Sequence, residues 1–561
     1  MKVVKLMIIG KIPTMRYPLI ISLLFVLSCK NKQEAVTTPR VAYDQSSEIA
    51  INSDHENPRM QFKLIQSKVL DKGSIWENIN QQIEDFKEKE YQNLKPLILE
   101  RDILSIQGNI DAGKLSYQKL TQWYLYRILK YESDNDKSLQ SIISVNPNAV
   151  AQAIEKDNKK TKGHHPIYGM PILLKDNINT VDMPTTAGAI ILQNNQTNDA
   201  EIVKNIKGHG GIVLGKVNLS EWAYYFCTGC PLGYSAVGGQ TLNPYGRKIF
   251  ETGGSSAGSG TTMAANYATA AVGTETSGSI LSPSSQNSVV GLKPTIGLLS
   301  GSGIVPISST LDTPGPMTRN VSDNAILLSA MSEGPKANPN TKDIRRYDVY
   351  HNNLNKDYIS GLRLGVIKNY LEDSLYTIAI NDLKDKGAEI IEIEPENISF
   401  DKFLTFLNAD MQRDFPKYMN AHAGPKIKIR TVKDVVEYNL KDTLLRAPYG
   451  QQLFEGVVAE DISDADFDVL KSEYDSLGKS FFNTPMDKYN LDAIVSINNY
   501  NAGHAAMAKY PCMTVPMGYQ NNGEPKNITF IAKTLQEDKL LKIAYAYEQA
   551  TKKRKMPSDY K

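Results

Sequence analysis

The chain has 561 residues, with 63 lysines and arginines against 61 aspartates and glutamates and a formal net charge of +2. This length is enough to bury a large core, either in one big domain or in several ordinary ones. The near balance of charge, with no block of like charges, argues against contacts with a nucleic-acid backbone. Composition therefore excludes polyanion binding and leaves most other functions open.

The N-terminal region has the pattern of a secretory signal. Basic residues precede an apolar run over 19–27, interrupted only by Ser22, which is too short to span a membrane. The sequence Val-Leu-Ser-Cys29 resembles a bacterial lipobox, and an unlipidated signal cut nearby is the alternative. Met15 would open a signal of ordinary length. We expect a signal peptide over 1–29, a lipidated Cys29, and export as a periplasmic or outer-membrane lipoprotein anchored in the membrane.

The region that follows is polar and then becomes helical. Residues 30–74 are rich in Gln, Ser, Thr, Asn, Asp and Lys, which predicts a polar tether. A helical pattern covers about 75–107. Ser116 is then typical of a helix N-cap, because apolar residues recur every four positions after it.

Short apolar runs alternate with helical patterns in the rest of the chain. This alternation predicts a sheet with helices on both faces. The predicted strands and the two clearest later helices are, in order, strands 170–174, 211–217, 268–273, 362–367, 387–393, 491–497 and 527–532, and helices 323–332 and 537–551.

Two serine-rich loops stand out within residues 238–319. Thr-Gly-Gly-Ser255-Ser-Ala-Gly-Ser is followed, 24 residues after Ser255, by Ser279 in Gly-Thr-Glu-Thr-Ser-Gly-Ser-Ile. Such clusters taken singly are usually flexible connections. The apolar stretch 264–273 between them predicts a helix end and a buried strand, so both loops are expected at the same sheet edge.

A serine nucleophile in such a loop needs a base and donors for an oxyanion, and no histidine lies in or near these loops. Lys175 ends the apolar run Met-Pro-Ile-Leu-Leu. Most lysines are solvated. A lysine at the end of a buried strand is desolvated, which lowers its pKa and leaves a neutral amine that can accept a proton. Lys175 is therefore a candidate base.

These motifs, with Gly-Leu-Lys-Pro-Thr295, Leu-Asp-Thr-Pro-Gly-Pro-Met-Thr-Arg319 and the Gly-x-Pro-x-x-x-Lys-Asp around Lys175, resemble the amidase signature family over about residues 100–555. The resemblance implies a single large α/β/α domain on a mixed, mostly parallel sheet. We expect that domain at 75–556, with its signature core at about 164–330.

The resemblance also implies the chemistry. It assigns the nucleophile to Ser279, a bridging serine on a cis peptide bond to Ser255, and the base to Lys175. The reaction would hydrolyse a linear carboxylic amide through an acyl-enzyme and release ammonia or an amine, with no cofactor and no metal. The implied oxyanion hole consists of the backbone N–H groups of Thr276, Ser277, Gly278 and Ser279.

Three positions depart from the common family pattern. Glu275 replaces a frequent Asp, Ser277 replaces a frequent Gly, and Leu281 stands where many members have Arg. Glu275 and the missing arginine are similar to the peptide-amidase-like branch. In the family, the acyl pocket is lined by variable loops, here including 224–234 and 401–449, so the substrate itself stays open.

Several alternatives compete with this interpretation. The run Gly-Ser-Ser256-Ala-Gly also fits the nucleophile elbow of α/β-hydrolases, although that elbow should follow a strand and this run follows a turn-like stretch. A glutamine-hydrolysing component of a tRNA-dependent amidotransferase shares the serine loops, but its partner is cytoplasmic. A catalytically silent, surface-anchored binding lipoprotein is the non-enzymatic alternative.

The cysteine spacing leaves one question open. Cys227 and Cys230 have the spacing of half a zinc site, yet no second CxxC or His pair follows at a ligand distance. In an oxidising compartment a local disulfide is possible, and two unpaired loop thiols are the alternative. Cys512 is interpreted as a small core residue.

Overall fold

The computed structural model of the chain describes residues 44–160, 163–332 and 350–561. Thirteen strands lie in these residues. They are β1 Ile142–Val145, β2 Pro171–Lys175, β3 Ile212–Val217, β4 Tyr234–Ser235, β5 Gly239–Gln240, β6 Ala270–Glu275, β7 Val290–Lys293, β8 Thr313–Thr318, β9 Arg363–Ile367, β10 Glu389–Ile393, β11 Ala493–Ile497, β12 Cys512–Tyr519 and β13 Pro525–Ile531.

Eighteen α-helices lie in the same residues. They are α1 Ser46–Ile51, α2 Lys72–Gln82, α3 Glu88–Ile98, α4 Ile103–Asp111, α5 Tyr117–Glu132, α6 Ala149–Asn158, α7 Glu201–Gly208, α8 Ala257–Ala264, α9 Leu281–Gln286, α10 Val321–Met331, α11 Ser374–Asp385, α12 Phe403–Ala421, α13 Val432–Asn439, α14 Thr443–Arg446, α15 Gln452–Ala459, α16 Asp464–Tyr489, α17 Ala502–Met507 and α18 Glu537–Thr551.

Eleven of the strands form one central sheet in the order β1-β3-β2-β6-β8-β7-β12-β13-β11-β9-β10, and β4 pairs with β5 separately. The sheet is mixed, as predicted. The parallel pairs form two blocks, β3-β2-β6 and β11-β9-β10. Within the central sheet, six of the ten strand pairs are antiparallel. Parallel pairing therefore prevails only inside these blocks. Between β12 and β13, for example, the turn is too short for a parallel crossover.

Helices cover both faces of the sheet. Every residue of β2, β3, β6 and β11 is buried. Since alternate side chains of a strand point to opposite faces, both faces are covered, which agrees with the predicted α/β/α architecture. All seven predicted strands are present. Six strands were not predicted, namely β1, β4, β5, β7, β8 and β12. In β8, Pro314 and Pro316 lack the N–H groups that a strand interior normally uses.

Two helix predictions are confirmed in detail. The hydroxyl of Ser116 accepts a hydrogen bond from the backbone N–H of Lys119 at 3.1 Å and caps α5. The C-terminal helix α18 spans the predicted residues. Within the described residues, no helix combines the length and apolar character needed to cross a bilayer.

The prediction of a polar tether up to residue 74 is wrong for the part that the structure describes. Met60, Phe62 and Ile65 are buried in the main core. The backbone N–H groups of Ile65 and Gln66 both donate to the side-chain oxygen of Gln45, at 2.9 and 2.8 Å. The folded body therefore includes 45–74, and it extends past the predicted end at 556 because Tyr560 is also buried. The predicted signal and Cys29 lie outside the described residues.

Candidate active site

Lys175 lies at the end of β2 and is fully buried. Its Nζ is 2.8 Å from Ser255 Oγ, 2.8 Å from Thr274 Oγ1 and 3.0 Å from the Thr274 carbonyl oxygen. Thr274 belongs to β6, the strand beside β2. A neutral amine has two N–H groups and one lone pair, so it can donate both hydrogens to Thr274 and accept the hydroxyl hydrogen of Ser255. This geometry suits a base.

The electrostatic surroundings favour the neutral form of that amine. Burial lowers the pKa of Lys175 to about 7, and the carboxylates of Asp312 and Glu275 oppose this shift. Neither carboxylate forms an ion pair with Lys175 among the described residues. Burial also raises the pKa of Asp312 to about 6, against hydrogen bonds from Thr276 and two backbone N–H groups. Lys175 can therefore exchange a proton near neutral pH.

Ser255 enters the site through the loop before α8. The peptide bond between Gly254 and Ser255 is cis, as the resemblance implied. The Ser255 carbonyl accepts a hydrogen bond from Ser220 N–H at 3.0 Å. The next residue, Ser256, is buried, and its hydroxyl donates to the Thr274 carbonyl at 3.0 Å. A hydroxyl turned into the core in this way is a poor nucleophile, which disfavours the α/β-hydrolase alternative.

Ser279 lies in the loop between β6 and α9. Its carbonyl oxygen accepts a hydrogen bond from Ser256 N–H at 3.2 Å, which joins the two serine loops. The Glu275 carboxylate accepts hydrogen bonds from the N–H groups of Ile280 and Leu281, at 2.7 and 3.0 Å, and fixes the start of α9. The loop is thus held from both ends.

The backbone around Ser279 leaves hydrogen-bond donors available. In the part of the chain that the structure describes, the N–H groups of 276–279 donate to no protein acceptor. Gly278 has a φ of +89°, which favours glycine, and a Cβ there would lie 3.0 Å from the side-chain nitrogen of Asn499. These donors can therefore bind an oxyanion formed at Ser279.

Two cavities meet at Ser279. The first, which we call the polar cavity, has a volume of about 450 Å³, and the second, which we call the apolar cavity, has a volume of about 350 Å³. Charged and amide side chains surround the polar cavity, including Arg59, Glu251, Gln286, Asn499, Gln520, Glu524 and Lys526. Apolar side chains surround the other, including Tyr225, Ile307, Phe403, Leu404, Leu407 and Leu453.

The loop between these cavities has unusual backbone geometry. Trp222, Ala223 and Tyr224 all have positive φ values, of 51°, 56° and 75°. A left-handed conformation costs roughly 1–2 kcal/mol per residue, and such strain is concentrated at functional sites. The loop continues into Cys227 and Cys230, which form a disulfide. The open question about these cysteines is therefore answered in favour of the local disulfide.

A sequence model of the amidase family matches residues 119–451, more than half of the chain. The chain belongs to the amidase family. Members of this family include hydrolases that act on the carbon–nitrogen bonds of amides, and this chain is an enzyme of that class.

Relatives and solved structures agree with this assignment. A protein of Arabidopsis thaliana named "Probable amidase" is 33% identical and covers 82% of this chain and 92% of its own length. An amidase family protein from Bacillus anthracis is 35% identical, with a TM-score of 0.82 and coverage of 88% and 99%. The peptide amidase of Stenotrophomonas maltophilia is 35% identical, with a TM-score of 0.78 and coverage of 82% and 98%.

The amidase site contains residues that the sequence analysis did not single out. Thr274 contacts Lys175 twice, and its place in the Gly-Thr-Glu-Thr motif was the available signal. Asn177 donates to the Thr274 hydroxyl at 3.0 Å. Arg59 and Glu251 line the polar cavity, and no local pattern marks them. The two segments expected to line an acyl pocket, 224–234 and 401–449, both contribute to the apolar cavity.

Proposed function

We propose that the enzyme hydrolyses a carboxylic amide through an acyl-enzyme on Ser279, with Ser255 as the bridging serine and Lys175 as the base. The observation that carries this proposal is the 2.8 Å contact between the buried Lys175 Nζ and Ser255 Oγ. Burial lowers the pKa of Lys175 to about 7, so a large fraction of the amine is neutral at neutral pH.

The proposed steps follow from these contacts. Neutral Lys175 takes a proton from Ser255, which takes one from Ser279, and the Ser279 oxygen adds to the amide carbon. The N–H groups of 276–279 stabilise the oxyanion, an effect worth roughly 3 kcal/mol per donor in known cases. The carbon–nitrogen bond then breaks, and the proton on Lys175 returns through Ser255 to the leaving amine. Water, deprotonated by the same relay, hydrolyses the ester and releases a carboxylic acid.

We propose peptide amides as the substrate class. The apolar cavity suits an apolar side chain near the scissile amide, and the polar cavity suits the hydrogen-bonding groups of a peptide chain. Similarity to the peptide amidase of Stenotrophomonas maltophilia supports this class. A screen of peptide amides, amino-acid amides and fatty amides tests it. A preference for fatty amides would contradict the proposal.

Fluorophosphonate labelling tests the nucleophile directly. We expect the native protein to yield one labelled peptide that contains Ser279. Ser279→Ala should lose the label and the activity, while Ser256→Ala should retain both. Failure of the folded native protein to react would instead favour the silent binding protein.

The glutamine-hydrolysing alternative has relatives of its own. A glutamyl-tRNA(Gln) amidotransferase component from Lysinibacillus sphaericus is 28% identical over 81% of this chain and 97% of its own length. Assays with free glutamine and with peptide amides distinguish the two functions. A preference for glutamine, with little turnover of peptide amides, would favour the alternative.

We also propose that the enzyme is exported and anchored through a lipid on Cys29, since the sequence before it has the pattern of a signal peptide. The full-length protein should partition with membranes in a bacterial host. Cys29→Ala should move it to the soluble fraction, and unchanged partitioning would refute the lipid anchor.

A further inference from the structure

The N-terminal segment, residues 45–70, is built into the wall of the active site. Ile65 lies in the core, and its carbonyl accepts a hydrogen bond from Gln240 N–H at 2.8 Å. The side chain of Asn52 donates to the carbonyls of Met60 and Lys248, at 3.0 and 2.9 Å. These contacts fix the path of the segment past the loop that leads to Ser255.

Arg59 is the residue of this segment that reaches the polar cavity. It lies in a short 3₁₀ helix whose start is capped, because the side chain of Asn57 accepts the Arg59 N–H at 3.0 Å. The Arg59 guanidinium binds Glu251 through two contacts, Nε to Oε1 at 2.9 Å and Nη2 to Oε2 at 3.0 Å. Such two-point pairing holds the plane of the guanidinium in one orientation.

The ion pair remains accessible from the polar cavity. The Arg59 side chain is 40% exposed and that of Glu251 is 17% exposed, and both line the cavity that contains Ser279. The contacts with Glu251 occupy two of the five guanidinium N–H groups, and a third N–H is hydrogen-bonded to the Tyr224 side chain, so two are left for other acceptors. Arg59 opposes, through this hydrogen bond and its charge, the rise that burial causes in the pKa of Tyr224.

The charges around Arg59 determine whether it favours an anionic or a neutral hydrogen-bond acceptor. Glu251 already balances the Arg59 charge, and Glu524 also lines this cavity. The other lining cation, Lys526, is paired with Asp373. An anionic group on the substrate would therefore face two carboxylates, whereas a neutral carbonyl oxygen would meet free N–H donors without charge repulsion.

We propose that Arg59 is a specificity-determining residue that donates a hydrogen bond to a carbonyl oxygen of the substrate's peptide chain, beyond the scissile amide. This inference rests on the proposed peptide-amide hydrolysis at Ser279. It predicts that the N-terminal segment helps the enzyme distinguish long peptide amides from single amino-acid amides. The bridge to Glu251 makes Arg59 rigid before substrate binds, which reduces the entropy lost on binding.

The test compares two substrates that share a terminal residue, phenylalanine amide and N-acetyl-Ala-Ala-phenylalanine amide, on the full chain. We expect Arg59→Met to lower kcat/KM for the longer amide by roughly 10- to 100-fold, mainly through KM, because a hydrogen bond from a charged donor is lost. The kcat/KM for the shorter amide should change less than about threefold, since this substrate does not reach Arg59. For the longer amide, the kcat/KM of Arg59→Lys should lie between those of Arg59→Met and the native enzyme.

Lys63→Met is the matched control in the same segment. Lys63 Nζ contacts the Pro448 carbonyl at 2.8 Å, and Lys63 does not line the polar cavity. This variant should leave the ratio of the two kcat/KM values unchanged. Equal losses on both substrates in Arg59→Met, or no loss on the longer one, would overturn the inference.

Labelling of Ser279 separates this inference from the proposed function. An Arg59→Met enzyme that labels normally but keeps its substrate preference contradicts only the role of Arg59. A native protein that neither labels nor cleaves either amide contradicts the proposed hydrolysis itself.

Discussion

Lys175 and Lys216 lie on neighbouring strands of the sheet, β2 and β3, and both are fully buried. Lys216 forms an ion pair with Asp176 at 2.8 Å, in which neither side chain is exposed. Lys175 instead contacts the hydroxyls of Ser255 and Thr274 and has no carboxylate within ion-pair distance among the described residues. Burial lowers the pKa of both lysines, but the contact with Asp176 opposes that shift at Lys216.

The comparison shows that burial alone does not make a lysine a base. A buried ammonium beside a carboxylate is held charged, whereas one surrounded by hydroxyls can lose its proton near neutral pH. We therefore expect Lys175 to serve chemistry and Lys216 to serve the fold. Predictions for turnover, stability and pH dependence test that division.

The largest expected effect is on turnover. Lys175→Met should lower kcat by roughly 10⁴-fold, because the base is removed. Its unfolding free energy at pH 7 should not fall, since an amine that is costly to bury is replaced by an apolar chain. Steady-state kinetics and denaturant unfolding measure the two quantities. Residual turnover within tenfold of the native enzyme would refute the role of Lys175.

Lys216→Met should act on stability instead. It leaves the Asp176 carboxylate buried without its cation, which typically costs about 3–5 kcal/mol. Turnover per folded molecule should change only a few-fold. Adding Asp176→Leu should restore much of the stability, because the uncompensated charge is removed as well. A loss of turnover as large as that of Lys175→Met would contradict a purely structural role for Lys216.

The pH dependence of kcat/KM provides a separate test of Lys175 as the base. Protonation of Lys175 removes the base, so kcat/KM should fall about tenfold per pH unit below the pKa of about 7. The profile should level off above that pH. A profile that is flat from pH 5 to 8 would contradict a lysine base.

The pH dependence of the unfolding free energy should also reflect the titration of Lys175. The pKa of Lys175 is lower in the folded chain than in the unfolded chain, where a lysine titrates near 10.4. Between pH 7 and about 10.4 the unfolded chain therefore binds more protons, and native stability rises with pH. The advantage of Lys175→Met in unfolding free energy should widen as the pH falls from 10 to 7. A constant difference over this range would show that burial does not depress this pKa.

The smallest expected effects come from two matched threonines. Thr274→Val removes a hydroxyl 2.8 Å from Lys175 Nζ, and Thr185→Val removes one 3.0 Å from Lys216 Nζ. We expect the first to lower kcat by about tenfold, because the amine is less well oriented. The second should cost about 1 kcal/mol of stability and leave kcat within twofold. Equal effects on kcat would show that the two sites are not separate.

Much of the site could be predicted because its residues lie in short contiguous motifs. Ser255 and Ser279 flank one helix and one strand, so local order brings their loops together. Lys175 ends a strand whose apolar run is visible in the sequence. Thr274 was harder to assign, because its contact with Lys175 depends on how β2 and β6 pair, and Asp312 lies just before β8, a strand that was not predicted.

The N-terminal segment shows where sequence patterns fail. Its apolar residues Met60, Phe62, Leu64 and Ile65 form one short run within a mostly polar stretch, so composition predicts a tether. Arg59 and Glu251 are 192 positions apart, and nothing local joins them. Contacts of this range form only when the whole body folds.

The sequence by itself determined the hydrolytic class, the three residues proposed for catalysis and most strands, because each depends on local periodicity or on a motif within one loop. The tertiary structure alone decided which buried lysine meets a carboxylate, which serine hydroxyl faces the core, and which distant segment completes the polar cavity. These outcomes depend on neighbours far along the chain, since desolvation and pairing act through space.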